Sequence, residues 1–326
     1  MAVSVPPWIP ASEIFARVQI LVAIRAIQHH LTNGLDPAHD FRRSVLNVPR
    51  GQLLIMPSHI SEFVGIKVAS VAPANPQMGK ERIQGVYLLM DAETLTPTAL
   101  LDGTALTTLR TPAVSAAAAD LLAPKKVDHL VLFGSGPQAW GHVEAMRAVR
   151  SIGRVTVVAR DRDRATEFAA RVSASGIRAR VGSNEDVFDA QLIVCATTAR
   201  SPLFDGSLVP IDSCTVAVGS HEPDAHELDS AIMMRAQVIV EDRATALREA
   251  GDAIIPITDG ELDATSLVPF RDVISGEVAV DVTRPRVFKS TGMAWEDLVI
   301  ASEVYRAWAL GGFSRPSAVA TNAEKN

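Results

Sequence analysis

A glycine-rich hexapeptide lies between an apolar run and a helix-like run near the middle of the chain. Residues 134–139 read Gly-Ser-Gly-Pro-Gln-Ala, which fits the G-x-G-x-x-A variant of the dinucleotide-binding turn. In that turn Gly134 permits the tight bend, Gly136 lets the backbone approach a pyrophosphate, and Ala139 keeps the helix close to the strand. Free amide N–H groups at the start of the helix attract phosphate. The predicted cofactor-binding residues of this loop are Gly134, Ser135, Gly136, Pro137, Gln138 and Ala139; the alternative is a glycine turn that binds nothing.

The end of the next predicted strand indicates which dinucleotide this loop binds. The strand ends at Ala159-Arg160-Asp161-Arg162. An NAD site usually has an acidic residue here, which binds the ribose 2′-hydroxyl, whereas arginine matches a 2′-phosphate by charge and geometry. Arg160, with Arg162 nearby, therefore favours NADPH as the cofactor. The alternative is an exposed, self-paired charge run in which Asp161 binds the 2′-hydroxyl of NADH.

Strand and helix patterns alternate after residue 124, as in βαβ units with a parallel sheet. The predicted strands span residues 129–133, 154–159, 192–196, 215–218 and 238–241, and the clearest helices span 138–149 and 164–173. Ligands bind at the carboxyl ends of such strands. Thr197 and Thr198 follow the third strand, so we expect them beside the cofactor.

The first part of the chain has a different pattern. A helix is predicted over residues 11–34, short strands over 44–48, 52–56, 64–71 and 85–89, and a helix over 101–122. Consecutive strands indicate an antiparallel or mixed sheet. The predicted fold class is α/β, with a doubly wound parallel sheet of the Rossmann type in residues 119–292. Residues 1–118 form an α+β substrate-binding and dimerisation domain, and residues 293–326, which include a last helix over 293–310, pack back onto it.

Composition excludes several other classes of protein. The chain has 326 residues, 48% of them hydrophobic and 21% charged, which is typical of a folded globular protein. A net charge of −6 argues against a nucleic-acid binder, and two cysteines exclude a disulfide scaffold or a four-cysteine zinc site. No uncharged apolar run reaches the about 18–20 residues of a membrane span. We expect no metal site, no membrane association and a cytoplasmic location.

Several short segments, in order along most of the chain, together resemble the ornithine cyclodeaminase/mu-crystallin family. They are Met56-Pro57, Gly65-Ile66-Lys67-Val68 with Asn75-Pro76, Leu109-Arg110-Thr111, the loop at 134–139, Glu227-Leu228-Asp229, Gly251-Asp252 and Phe288-Lys289-Ser290-Thr291-Gly292. The resemblance implies a Rossmann domain, a homodimer formed through the N-terminal sheet, and chemistry on α-imino and α-amino acids with a nicotinamide cofactor. It also places Ser290, Thr291 and Gly292 in a loop near the nicotinamide.

The resemblance assigns substrate-binding roles to three cations. Such substrates carry a carboxylate, which needs fixed cationic donors in its pocket. The carboxylate-binding positions of the family fall on Arg43, Lys67 and Arg110, with Arg42 and Arg50 as alternatives to Arg43. Lys67 lies within an apolar strand pattern, where an unpaired lysine is costly to bury. This cost favours a functional position for Lys67.

The segment Gly219-Ser220-His221-Glu222-Pro223 departs from the cyclodeaminase pattern. Cyclodeaminases carry an acidic residue, the base that acts on the substrate amine, where His221 stands here. The loss of that carboxylate favours the ketimine reductase side of the family. A histidine that titrates near neutral pH could donate a proton to an imine nitrogen; the alternative is that His221 caps a turn.

The function predicted from these residues is reduction of a cyclic ketimine carboxylate, such as pyrroline-2-carboxylate or piperideine-2-carboxylate, to the L-amino acid by NADPH, with NADH as the alternative. The imine proton would come from His221, Lys67 or water. The alternatives are an ornithine cyclodeaminase, a linear amino-acid dehydrogenase, and a mu-crystallin-like binding protein with vestigial catalysis. The expected partners are the small substrate and a second copy of the chain.

Overall fold

A mixed six-stranded sheet dominates the N-terminal part of the computed structural model, which describes residues 5–311. Five of its strands are antiparallel neighbours, and the first pairs in parallel with the sixth. The strands are β1 (Trp8–Ile9), β2 (Ser44–Val48), β3 (Gly51–His59), β4 (Phe63–Val71), β5 (Ile83–Asp91) and β6 (Pro97–Asp102), in the order β1-β6-β5-β4-β3-β2. The sequence did not predict β6, because its apolar residues continue into the helix that follows.

The two faces of this sheet differ in their cover. Side chains alternate between faces along each strand, so Lys67 and its register partner Tyr87 lie on the buried inner face. The neighbouring Val68 and Val86 lie on the opposite face and are 39% and 36% exposed. That outer sheet face is apolar throughout its centre. It is formed by Leu53, Ile55, Val64, Ile66, Val68, Val86, Leu88 and Met90.

Helices cover the inner face of the first sheet. Helices α1 (Ala11–Arg17) and α3 (Gly103–Leu122) pack on its strands, and α2 (Ile20–Thr32) packs on α3. The single helix predicted over residues 11–34 is in fact two, because the backbone becomes extended at Val18, whose side chain is buried. Helix α3 begins at residue 103, where the Asp102 carboxylate accepts hydrogen bonds from the N–H groups of Thr104 and Ala105, both at 3.0 Å.

The second sheet has eight parallel strands with helices on both faces, which confirms the predicted α/β fold class. Its strands are β7 (Lys126–Phe133), β8 (Ser151–Val158), β9 (Arg178–Val181), β10 (Leu192–Cys195), β11 (Cys214–Ala217), β12 (Gln237–Val240), β13 (Val268–Pro269) and β14 (Arg286–Lys289). Their order is β13-β12-β14-β11-β10-β7-β8-β9. Its helices are α4 (Pro137–Val149), α5 (Arg162–Ala174), α6 (Ser230–Arg235), α7 (Arg243–Glu249), α8 (Gly251–Thr258) and α9 (Phe270–Ile274).

Strand β14 was not predicted from the sequence, although it lies between β11 and β12 near the centre of the sheet. Its short Arg-Val-Phe-Lys sequence places a charge at each end of two apolar residues, which hides the strand pattern. The chain then crosses to α10 (Ala294–Leu310), which packs against α2, α3, β3 and β4. The rest of the C-terminal segment predicted to pack back, residues 312–326, lies outside the described residues.

The helices described between residues 5 and 311 include none that is both long and apolar enough to cross a membrane.

Candidate active site

The cofactor loop follows β7 and faces the end of β10, where the strand order changes direction. Gly134 has φ +113°, and a Cβ there would lie 2.5 Å from the carbonyl oxygen of Ala196. Glycine is therefore required for the turn. At Gly136 a Cβ would meet no atom within 4 Å, so the backbone before α4 has open space on its outer side. This is the space that a pyrophosphate needs to approach the helix N-terminus.

The other predicted residues of the loop join it to its surroundings. Pro137 is the first residue of α4, and no side chain caps this helix within the described residues, which leaves its first N–H groups available. Ala139 is fully buried. Gln138 donates a hydrogen bond of 3.3 Å to the carbonyl oxygen of Thr107 on α3, and Ser135 is half-buried beside Gly136. The loop is thus joined to the helix that carries Arg110.

The charged segment after β8 divides into a structural carboxylate and exposed arginines. Asp161 caps α5, because its carboxylate accepts hydrogen bonds of 3.1 Å from the N–H groups of Asp163 and Arg164. Arg160 and Arg162 are exposed, and neither guanidinium makes a hydrogen bond or ion pair within residues 5–311. A 2′-phosphate at this strand end would therefore meet arginines without competing partners.

A buried glutamate, which the sequence argument missed, fixes the ends of β10 and β11. Glu227 accepts hydrogen bonds from the N–H and hydroxyl of Thr197, at 2.9 and 2.7 Å, and from the N–H of Gly219 at 2.7 Å. Burial raises the pKa of Glu227 to about 7. Thr198 is exposed next to Thr197. Glu227 belongs to the Glu-Leu-Asp segment noted in the sequence, but nothing local indicated its partners.

Lys289, at the end of β14, holds the segment that contains His221. Its ammonium donates to the carbonyl oxygen of Ser220 at 2.7 Å and lies 3.1 Å from the carboxylate of Asp252. Asp252 in turn accepts from the N–H groups of Glu227 and Leu228, at 2.7 and 2.9 Å. All three ionisable groups, Lys289, Asp252 and Glu227, are buried.

His221 lies near Arg43, and its pKa differs from the near-neutral value expected from the sequence. Burial, assisted by the positive charge of Arg43, lowers the pKa of His221 to about 4. The imidazole is therefore uncharged at neutral pH. The expectation that His221 titrates near pH 7 was wrong, because the burial and the neighbouring Arg43 that lower its pKa are not visible in the sequence. Its ring makes no hydrogen bond within the described residues, so it does not cap a turn there.

The three predicted carboxylate-binding cations all have acidic partners. Lys67 donates to Asp297 at 2.5 Å and to the hydroxyl of Thr107 at 3.3 Å. Arg110 donates to Glu296 at 2.7 Å, and its Nε lies 3.6 Å from Asp297. Lys67 and Arg110 are therefore joined through two adjacent carboxylates of α10. Neither acid was identified from the sequence, although both interrupt an apolar helix.

Arg43 lies on the other side of this group. It forms an ion pair with Glu249 and donates a hydrogen bond of 3.0 Å to the carbonyl oxygen of Thr291. Together with Met56, Glu249 and Gly292 it lines a cavity of about 20 Å³, which is room for about one water molecule. Arg42 and Arg50, the alternatives from the sequence, are exposed.

The predicted loop of Ser290, Thr291 and Gly292 is held by Glu241, which follows β12. Its carboxylate accepts from the Ser290 hydroxyl at 2.6 Å and from the N–H groups of Thr291 and Gly292 at 2.8 and 3.1 Å. Gly292 has φ +75°, and a Cβ there would lie 2.6 Å from Arg110. The loop backbone thus lies close to the guanidinium, where only a residue without a Cβ fits.

The buried carboxyl groups of Glu241 and Glu296 lie close enough to shift each other's pKa. Burial and the neighbouring Glu241 carboxylate raise the pKa of Glu296 well above its usual value, whereas hydrogen bonds lower the pKa of Glu241 despite its burial. The two carboxyl groups therefore titrate as a coupled pair, in which Glu296 binds a proton more tightly than Glu241 does. This pair connects the Rossmann sheet with α10.

No group of three or more His, Cys, Asp or Glu side chains between residues 5 and 311 could hold a metal ion.

Fold and site together define a Rossmann-type protein with an appended α+β domain and a group of buried cations, each paired with a carboxylate, near the ends of the parallel strands. Residues 13–312 match the ornithine cyclodeaminase/mu-crystallin family, and the chain belongs to this family.

Two curated relatives and one solved structure show the similarity in detail. A Delta(1)-pyrroline-2-carboxylate reductase of Bacillus cereus is 38% identical over 267 residues, which cover 77% of this chain and 80% of the relative. Ketimine reductase mu-crystallin of Mus musculus is 33% identical over 264 residues, covering 80% and 82%. Delta(1)-pyrroline-2-carboxylate reductase of Thermococcus litoralis, in complex with NADH and L-proline, aligns with a TM-score of 0.89 at 27% identity, covering 95% of this chain and 99% of that one.

The two loop glycines should respond differently to substitution. We expect Gly136→Val to lower the melting temperature only slightly, because its side chain enters open space although valine is a poorer N-cap than glycine. The same change should weaken dinucleotide binding about 100-fold by blocking the approach of the pyrophosphate. Gly134→Ala should instead lower the stability by about 1–3 kcal/mol, because it strains the turn. Thermal melts and fluorescence titration with NADPH measure both effects; tight binding by the Gly136→Val variant would contradict the proposed loop.

Proposed function

We propose that this chain is an NAD(P)H-dependent oxidoreductase that reduces a cyclic ketimine carboxylate, pyrroline-2-carboxylate or piperideine-2-carboxylate, to the corresponding L-amino acid. The observation that carries this proposal is the grouping of Arg43, Lys67 and Arg110 beside the loop at residues 290–292. The names of the two curated relatives, and the NADH and L-proline in the Thermococcus litoralis structure, support it.

In the proposed reaction the three cations hold the substrate carboxylate and orient its C=N carbon. The dinucleotide, when bound along the cofactor loop, supplies the hydride. Lys67 and Arg110 are fixed by α10, so the pocket is organised before the substrate enters. Arg43 exchanges its contact with Glu249 for the incoming carboxylate, because the cavity beside it is too small for a five-membered ring.

The nitrogen of the reduced imine needs a proton. Burial lowers the pKa of Lys67 to about 8, against the opposing charge of Asp297, so this ammonium is charged at neutral pH and is acidic enough to donate. His221, with a pKa of about 4, holds no such proton. We therefore assign the donation to Lys67, with water as the alternative. A neutral imidazole with so low a pKa is also a weak base, which disfavours cyclodeamination.

We propose NADPH as the preferred cofactor, because Arg160 and Arg162 are unpaired within the described residues while Asp161 caps a helix. The cytoplasm, where NADPH serves reductive metabolism, is the proposed location, and proline metabolism the proposed context. We further propose a homodimer that buries the outer sheet face, because an apolar face of that extent is unusual on a monomer.

The first test is NADPH oxidation at 340 nm with pyrroline-2-carboxylate and piperideine-2-carboxylate, repeated with NADH. We expect rapid oxidation that favours NADPH and yields L-proline or L-pipecolate. If neither imine is reduced and ornithine with NAD⁺ instead releases ammonia, the chain is a cyclodeaminase and the proposal is wrong.

The cofactor preference should depend on Arg160. A hydrogen bond to a charged group contributes about 1.5–3 kcal/mol, so Arg160→Ala should raise KM for NADPH about 10–100-fold and leave KM for NADH unchanged. Arg178→Ala is the control, because Arg178 is exposed at the opposite end of the neighbouring strand β9. Equal changes for both cofactors would rule out 2′-phosphate recognition by Arg160.

Arg43 offers the cleanest test of carboxylate binding. When Arg43 is replaced by alanine, the Glu249 carboxylate keeps its ion pair with the Arg248 guanidinium, in which Nη2 and Oε1 are 2.8 Å apart. The fold should therefore remain intact. Because one charged contact to the substrate is lost, kcat/KM for the imine should fall about 10–100-fold. The neighbouring exposed residue provides the matched control, Arg42→Ala. Steady-state kinetics measure this effect. If Arg43→Ala turns over the imine as fast as the wild type does, Arg43 does not bind the substrate carboxylate.

A further inference from the structure

The pair formed by Lys67 and Asp297 has an unusual position. Lys67 lies on the inner face of β4, Asp297 lies on α10, and their side chains are 3% and 0% exposed. The two residues are separated by 230 positions along the chain. Asp297 also faces Arg110 with its second oxygen, Oδ1, which makes no hydrogen bond within the described residues.

Such a pair is an inefficient way to stabilise a fold. The cost of removing both charges from water offsets their attraction, and apolar side chains of similar volume often stabilise a protein as well or better. What a buried acid does achieve is to keep a neighbouring amine charged and fixed in direction. This is what a carboxylate-binding lysine requires.

We propose that Asp297 is a positioning residue of the active site, which acts through Lys67 by holding its ammonium charged and oriented while it also faces Arg110. Helix α10 is then part of the substrate pocket without touching the substrate. This inference deepens the proposed function and rests on it, because the substrate whose carboxylate Lys67 binds is the one proposed above.

The surroundings of Lys67 show why Asp297 has this role. Burial lowers the pKa of Lys67, and Arg110 on α3 lowers it further, whereas Asp297 and, more weakly, Glu296 raise it. On β5 the register partner Tyr87 is buried, and its own pKa is raised by burial and by the charges of Asp297 and Asp40, so it stays neutral. Asp297 is therefore the main source of charge stabilisation for Lys67.

Asp297→Asn tests the proposal, because it removes the charge and keeps the volume. The pKa of Lys67 should fall by about one unit or more, so the basic limb of the kcat/KM profile with pyrroline-2-carboxylate should move to lower pH by the same amount. The loss should be larger at pH 8.5 than at pH 6 and should appear mainly in KM. Glu303→Gln, on the same helix and paired with Arg306 at 2.6 Å, should keep the wild-type profile.

A second readout does not need activity. The folded-state pKa of Lys67 is about 8, against 10.5 in the unfolded chain. The unfolded chain therefore binds more protons between these values, and Lys67 makes stability rise with pH across this window. In Asp297→Asn the rise begins at lower pH. The deficit in melting temperature relative to wild type should therefore be largest at pH 6 and should shrink as the pH rises to 8, above which Lys67 is largely neutral in both folded proteins.

The outcomes separate this inference from the proposed function. If wild type reduces no ketimine but the deficit still shrinks with pH, the proposed function fails and the action of Asp297 on Lys67 stands. A uniform loss of activity from pH 6 to pH 9, with a melting deficit independent of pH, would overturn the inference and leave Asp297 a structural residue.

Lys67→Arg keeps the test decisive if the asparagine variant does not fold. Arginine stays charged throughout this pH range and retains a partner in Asp297. Arginine cannot supply the proton assigned to Lys67, so kcat should fall, but the activity that protonation by water sustains should show no basic limb near pH 8. The melting temperature should also lose the part of its rise above pH 8 that Lys67 contributes. A limb and a melting curve identical to wild type would show that Lys67 does not titrate there, which overturns the inference.

Discussion

The organisation of this molecule depends on one buried chain of charges. It runs from Lys67 on the first sheet through Asp297, Arg110 and Glu296 to Glu241 on the second. Each charge in it would be costly to bury alone, so each group requires its neighbours. The chain joins the two sheets beside the cations proposed to bind the substrate carboxylate, so one interaction network both connects the sheets and fixes the positions of those cations.

A second buried network performs a comparable task on the cofactor side. Lys289, Asp252 and Glu227 fix the backbone where β10 and β11 end, and these ends border the crevice beside the cofactor loop. The two networks are related through the neighbouring strands β12 and β14: Glu241 directly follows β12, and Lys289 is the last residue of β14. These two short parallel strands thus bring the opposite charges of Glu241 and Lys289 to neighbouring positions. The hydrogen bonds of the two side chains then hold the loops that follow the strands.

The sequence predicted the features that depend on local geometry. The turn at Gly134 and the alternating strands and helices are determined by residues close together in the sequence. The position of Lys67 in an apolar strand also indicated an unusual role. The partners of the cations could not be predicted in the same way, because Lys67 and Asp297 are 230 positions apart. For the same reason the pKa of His221 was misjudged: it is set by burial and by Arg43, which only the folded chain brings near. Strand β14 was missed because it has only four residues, and the two at its ends are charged, so no apolar strand pattern is visible.

The polypeptide passes between the two sheets twice, once between α3 and β7 and once between β14 and α10. The first passage enters the parallel sheet at the beginning of its strands, and the second leaves it at their ends. A buried side chain holds each connecting segment. Arg150 donates a hydrogen bond to the carbonyl oxygen of Pro124 at 3.0 Å, and Glu241 accepts one from the N–H of Thr291 at 2.8 Å. Each connection is therefore held close to the point where it meets the parallel sheet, and α3 also packs against α4, the helix that follows the cofactor loop. The fold itself thus sets the position of the N-terminal sheet relative to that loop.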